Sequence, residues 1–257
     1  MTDEAADTSV LVVSCDKYHD LWVPFFTLFF RYWPDCPYPV YLCSNEKTHE
    51  DEGVQTLLTG PDLSWSTTLK RCLERLPTPY LILFQEDFLF TKKVDTQRVG
   101  ALVSCLRNQE AACLRLYPSP PPDRPTQEDP EVGEIATGAA YRVSLQAAIW
   151  DKAVLYGLLK DGESPWDLEY AGSERSNSIP RRFLSISGGN RERWPLDYFS
   201  TAVVQGKWVR EAVALCAREG IRVDETSRAI ESAIEPLCRK CLAFLRALKN
   251  RVFSGSR

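Results

Sequence analysis

Apolar positions fall into short unbroken runs separated by longer, mixed stretches. That pattern belongs to strands buried on both faces alternating with helices. Val10-Leu-Val-Val-Ser14 is the first run and predicts a strand. Asp20–Trp33 is densely aromatic and suits a helix buried on most faces, with Pro24 in its first turn and Trp33-Pro34 at its end. Pro39–Asn45 and Val54–Leu58 predict two further strands, and a helix capped by Asp62 or Ser64 runs to Leu76. Tyr80-Leu-Ile-Leu-Phe84 is the strongest buried-strand signal and leads straight into Gln85-Glu86-Asp87. Beyond it the pattern predicts helices over 95–108, 152–160 and 211–219, and strands over 111–117, 140–149 and 183–187. Ser164-Pro165-Trp166 opens a short helix with proline in its favoured first position. The alternation predicts an α/β fold: one Rossmann-like domain with a mostly parallel central sheet.

Two segments depart from the alternation. Pro118–Val132 holds six prolines and mostly acidic charges, and predicts a mobile surface loop or lid with no regular element. Glu225 to about Phe253 predicts a helix. From Cys238 onward its apolar residues interleave with basic ones, and no acidic side chain occurs. Such a helix lies on an anionic membrane surface or packs its apolar stripe on protein. The expected organisation is therefore a domain over 1–223 and a C-terminal amphipathic helical extension over 224–257.

Composition narrows the function. With 257 residues and 44% hydrophobic content the chain buries its own core without staples. A net charge of −4 argues against nucleic acid as a partner. No run approaches the roughly 18–20 apolar residues of a membrane span. The acidic opening MTDEAADTS is the reverse of a secretory signal. Nine cysteines, an odd count, then suit reduced thiols in a cytoplasmic protein. Cys238 and Cys241 lack the further ligands a zinc site needs, and two histidines leave little for a histidine-based triad.

In open α/β sheets ligands gather at the carboxyl ends of the strands. Those ends hold Cys15, Asp16 and Tyr18 after the first strand, Asn45 after the second and Gln85-Glu86-Asp87 after the fourth. Two adjacent carboxylates beside an apolar strand call for a counter-charge, and magnesium or manganese carrying a diphosphate supplies one. The plain alternative is a turn that leaves the sheet into solvent. No G-x-x-x-x-G-K-[ST] loop and no G-x-G-x-x-G after the first strand is present, which disfavours P-loop nucleotidases and nicotinamide dehydrogenases.

Four blocks resemble bacterial transferases that build capsular polysaccharide and lipopolysaccharide: Ser14 to Pro39, Tyr80 to Phe88, Tyr141 to Trp150 and Ser164 to Glu169. These are similar to nucleotide-sugar glycosyltransferases of the GT-A type. The resemblance implies an Asp-x-Asp-like metal site at Gln85-Glu86-Asp87, where Gln replaces the first acid and Asp87, with Glu86, is left to hold Mn or Mg. It implies that Asp16, Tyr18 and Asn45 seat the nucleotide, with Glu86 and Asp87 at the diphosphate. The partners implied are a nucleotide-diphosphate sugar donor and a glycan or lipid-linked glycan acceptor, with peripheral membrane contact through the C-terminal helix. From the residues alone, Tyr18 reads equally as a packed aromatic and Asp16 as a turn former.

Inverting transfer needs a carboxylate to take the acceptor proton. Asp167 and Glu169 are the candidates. Ser164-x-x-Asp167 is a capping pattern, which leaves Glu169 the freer base. Trp166 beside it is the candidate for stacking on a sugar. Arg142, Gln146, Arg175, Arg181, Arg182 and Lys207 are further candidates for phosphate or acceptor contacts. Two rival functions stay open: a sugar nucleotidyltransferase, and a non-catalytic glycan- or nucleotide-binding protein on the same scaffold.

Overall fold

A computed structural model describes residues 6–233 and 235. Nine strands form one sheet. In chain order they are β1 (Thr8–Val13), β2 (Val40–Ser44), β3 (Val54–Leu58), β4 (Tyr80–Gln85), β6 (Cys113–Arg115), β7 (Arg124–Pro125), β8 (Val132–Ile135), β9 (Ala148–Asp151) and β10 (Phe183–Ile186). Their spatial order is β3-β2-β1-β4-β9-β6-β10-β8-β7. The first four are parallel, β9 runs antiparallel between β4 and β6, and β6 and β10 are again parallel. Two short strands, β5 (Leu89–Phe90) and β11 (Tyr198–Phe199), pair apart from this sheet. β1 and β2 are buried at every position, which is why their sequences are continuous runs and not alternations.

The helices begin where side chains satisfy their first N–H groups. Ser64 accepts from Thr67 at the start of α2 (Trp65–Arg75), Asp95 from Arg98 in α3 (Thr96–Asn108) and Asp151 from Val154 in α4 (Lys152–Leu158). Helix α1 (Trp22–Tyr32) has no such cap and is held by packing. Phe25 and Phe29 meet Phe84 of β4 and Phe90 of β5 at ring separations of 5.4–6.5 Å. Phe84 and Phe90 precede and follow the Glu86-Asp87 turn in the chain, so the α1 aromatics hold both ends of the segment that carries it.

Three expectations change. Residues 118–132 form no free lid. Arg124–Pro125 adds the edge strand β7 onto β8, Arg98 pairs with Asp129 at 2.9 Å, and Arg182 pairs with Glu128 at 3.2 Å. Proline permits this because an edge strand needs hydrogen bonds on only one side. The strand expected over 140–149 is confined to β9, because Tyr141 takes a left-handed backbone (φ +54) and the chain turns there. Residues 225–233 form turns and a single bridge in place of a helix. The basic amphipathic stretch from Cys238 lies outside the described residues.

The chain divides into two compact units, one up to Ser200 and one from Thr201. The second contains the hairpin β12 (Val203–Val204) and β13 (Lys207–Trp208), which turns at Gln205 and Gly206, both with positive φ. Helix α6 (Arg210–Arg218) follows, its first N–H accepted by Glu231 at 3.1 Å. Among the described residues no helix is long and apolar enough to cross a membrane.

Phe29 is fully buried at the centre of the aromatic cluster. Phe29→Ala is expected to cost about 3–5 kcal/mol, read as a lowered urea midpoint with an unchanged m-value.

Candidate active site

Four parallel strands end at one edge of the sheet, and the register fixes which residues meet there. Val13 lies opposite both Cys43 and Gln85, so Ser14–Asp16, Asn45 and Glu86-Asp87 emerge side by side. β9 runs the other way, with Ala148 opposite Leu83, so Leu145–Ala147 enter beside the end of β4.

Asp16 braces two of these loops. Its Oδ1 accepts from Ser44 Oγ at 2.8 Å and from the N–H groups of Asn45, Glu46 and Lys47 at 3.1 Å, and Glu46 N also donates to Oδ2. Asn45 Oδ1 returns a bond to Asp16 N at 3.2 Å. Burial works against the Asp16 charge, but these donors outweigh it and hold the carboxyl below its ordinary value. Two buried amide donors remain without a partner, Nδ2 of Asn45 and Nε2 of Gln85, on either side of the β1 terminus. Tyr18 sits half-buried in the tight turn Asp16–Leu21. Burial pushes the Cys15 thiol up to about 11, which leaves it protonated and a poor nucleophile.

Glu86 and Asp87 occupy the turn between β4 and β5, closed by Phe88 N donating to Gln85 O at 3.2 Å. Phe88 stacks on Tyr198 at 4.6 Å. The Tyr198 hydroxyl donates to Gln146 Oε1 at 2.9 Å and accepts from Ala147 N at 3.0 Å. Burial raises that phenol well above its usual pKa, so it stays a donor. The acidic turn and the strand entrance at Leu145–Ala147 are thereby joined through one residue.

The other side of this entrance carries the candidate base. Helix α5 starts at Pro165–Asp167, widens into a π-helical turn over Leu168–Gly172 and closes with Ser173–Ser176. Ser164 and Asp167 form a complete capping box, with Asp167 Oδ2 accepting from Ser164 N at 2.9 Å and Ser164 Oγ at 2.7 Å. The two Ser164 bonds lower the Asp167 pKa. Glu169 projects from the π turn, a deformation that recurs at functional sites. Its Oε1 accepts from Leu145 N at 3.0 Å and Ser144 Oγ at 3.4 Å. Among the described residues Oε2 accepts no hydrogen bond.

The basic candidates are spent on architecture. Arg142 is buried on Ser176 and over the Phe183 ring, Arg175 grips Glu163 through two nitrogens, and Arg181 pairs with Asp151. Arg182 pairs with Glu128 and Glu134, Gln146 holds Tyr198, and Lys207 pairs with Glu235 at 2.6 Å in the second unit. Trp150 belongs to the core, whereas Trp166 is 69% exposed.

Two aromatics at this edge escaped the sequence reading. Tyr170, 61% exposed, lies four residues beyond Trp166, a spacing that signals a shared helix face. Tyr141 carries no such signal. Its positive φ costs about 1–2 kcal/mol for a residue with a Cβ. Arg115, 2% exposed, holds the Tyr141 carbonyl at 2.7 Å and Pro120 O at 2.6 Å.

No family model matches the chain, and no curated protein matches it. Solved structures do. TarS 1–349 of S. aureus in complex with UDP-GlcNAc superposes with a TM-score of 0.51 at 11% identity, over 79% of this chain and 60% of that one. The fold is GT-A-like. A cytidylyltransferase from Leptospira borgpetersenii serovar Hardjo-bovis matches less well, with a TM-score of 0.41 at 11% identity over 67% of this chain and 71% of that one. The chain thus spans about 60% of the length of the TarS fragment it resembles.

Asp16→Asn puts an amide donor among backbone donors and is expected to cost about 1–3 kcal/mol at neutral pH. Because the folded pKa is depressed, the wild-type advantage is full above the ordinary value of about 3.9 and disappears as pH falls through the folded value. Urea titrations of both proteins across acid pH check this. A difference independent of pH would remove the charge from the argument.

Proposed function

We propose that the chain is a glycosyltransferase that moves a sugar, with inversion, from a nucleotide-diphosphate sugar to a hydroxyl of a growing surface glycan. One observation carries the reading: the Glu86-Asp87 turn and a carboxylate with a free oxygen, Glu169, stand at one sheet edge of a GT-A-like fold. The same fold in TarS accommodates UDP-GlcNAc.

In this reading the unpartnered amides of Asn45 and Gln85 donate to the nucleotide, Tyr18 stacks on its base, and Asp16 holds the Asn45 loop in place. Glu169 takes the proton of the acceptor hydroxyl at Oε2, while Leu145 N and Ser144 fix Oε1 and set its direction. Among the described residues no three His, Cys, Asp or Glu side chains converge as a metal cage. Glu86 and Asp87, two hard carboxylates, would be the residues that hold a magnesium or manganese ion. When bound, it would supply the charge neutralisation that a leaving diphosphate needs. A lipid-linked acceptor, reached through the basic C-terminal segment, is part of the same proposal. The nucleotidyltransferase alternative calls for a glycine-rich basic loop after the first strand. Here the loop is a compact turn over Asp16–Leu21 without glycine.

A thermal-shift panel of UDP, GDP, dTDP and CMP, each with and without manganese, tests the donor site. One nucleotide is expected to raise Tm in a manganese-dependent way, and Asp87→Ala to abolish the manganese contribution. Absence of any shift would remove the donor site.

Glu169→Gln is expected to lower turnover of the responding nucleotide sugar by about 10²–10⁴-fold while leaving the nucleotide shift intact. Unchanged turnover would take the base role away from Glu169. A nucleotide shift with no turnover in the wild type would favour the non-catalytic binding protein.

A further inference from the structure

Three of the four exposed aromatic side chains among the described residues, Trp166, Tyr170 and Tyr141, belong to the surroundings of Glu169. The fourth, Tyr156, lies on α4. Trp166 and Tyr170 are four residues apart on α5 and bracket Glu169 in sequence. The Tyr170 and Tyr141 rings lie 5.5 Å apart with their hydroxyls 3.0 Å from each other.

This exposure is built in. Tyr141 is held in a strained backbone from both sides, by Arg115 on its own carbonyl and by the next residue, Arg142, buried against Ser176. Strain that the surroundings over-determine gathers at functional sites. The π turn that carries Tyr170 is a second deformation of the same kind, in a different element.

The chemistry of the surface selects its occupant. Rings with hydroxyl tips suit a ligand that has both C–H faces and hydroxyl groups. The neighbouring ionisable groups on α5 are the carboxylates Asp167 and Glu169, and the nearby arginines are turned into the fold. A phosphate or uronate would meet negative charge here and no free guanidinium.

We propose that Trp166, Tyr170 and Tyr141 form a platform for consecutive pyranose rings of a neutral glycan, which makes the acceptor an oligosaccharide and not a single sugar or an anionic polymer. The proposal rests on the glycosyltransferase reading and supplies its acceptor class.

Saturation-transfer NMR on the full chain, with neutral glucose, galactose and N-acetylglucosamine oligosaccharides of one to four rings, tests it. Binding is expected to strengthen from one ring to three. Trp166→Ala and Tyr141→Gly should each weaken three-ring binding by about three- to tenfold. Glycine adopts the left-handed backbone without cost, so Tyr141→Gly removes the ring while the urea midpoint holds or rises.

Equal binding of all lengths, indifference to both variants, or a preference for phosphorylated or uronic oligosaccharides would overturn the proposal. So would sedimentation data showing that Trp166→Ala converts a dimer into a monomer, because the platform would then be a subunit contact. Nucleotide shifts on the same variants separate the two readings. Intact shifts with lost glycan binding support the platform. Failure of the shifts in wild type removes the donor site but leaves the glycan measurement to decide the platform by itself.

Discussion

Phe84 and Phe90 come just before and just after an acidic turn in the chain, and most of the site depends on the packing that brings their rings together. The two rings lie 5.4 Å apart, and the α1 aromatics close over both. A turn with two adjacent carboxylates repels itself and gains nothing from burial of its charge. Packing on both flanks lets it stay beside the sheet. Phe88 then extends the same logic outward: it stacks on Tyr198, whose hydroxyl reaches the chain entering β9. Apolar contact sets the position of charge at this edge.

Cations follow the opposite rule. Arg115 and Arg142 are almost fully buried, and their guanidinium groups are spent on backbone carbonyls, Arg142 also reaching the Ser176 hydroxyl. Burial lowers the pKa of both, though guanidinium remains charged at any ordinary pH. They act as staples for irregular chain. Arg115 ties Tyr141 to the proline-rich segment, and Arg142 ties the same region to the end of α5. That division explains why counting arginines in the sequence is a poor guide to phosphate contacts here. A buried fork turned onto carbonyls offers a ligand nothing to reach, and the one unpartnered nitrogen, Arg142 Nε, is buried as well.

The strands β1 to β4 and a cap at Ser64, one of the two the sequence offers there, are legible because their causes are local: unbroken apolar runs, and a polar side chain three residues before a helical N–H. The carboxyl-edge placement of Asp16, Asn45 and Glu86-Asp87 is legible for the same reason, since each directly follows a strand. What is illegible depends on distant partners. Residues 118–132 look like free loop until Arg98, Arg182 and β8 are brought to them from elsewhere in the chain. Tyr141 reads as part of a strand because nothing nearby in sequence announces the Arg115 bond that holds its strained backbone. Asp16 offers a ligand contact on paper, whereas the fold brings it Ser44 and three backbone donors from 28 to 31 residues away.

The two acids of α5 show how one short element separates structural from chemical roles. Asp167 and Glu169 are two residues apart, so a regular helix turns them to different sides. Ser164 captures the first in a capping box, where both its neighbours and the helix N-terminus favour a fixed anion. The π turn starts immediately afterwards and carries Glu169 to the β9 entrance, where a backbone N–H and a hydroxyl engage one oxygen and leave the other. A carboxylate bound at both oxygens would be a weak base, and one bound at neither would lack direction. Holding a single oxygen meets both needs, and the residue that does so sits in the turn where the helix widens.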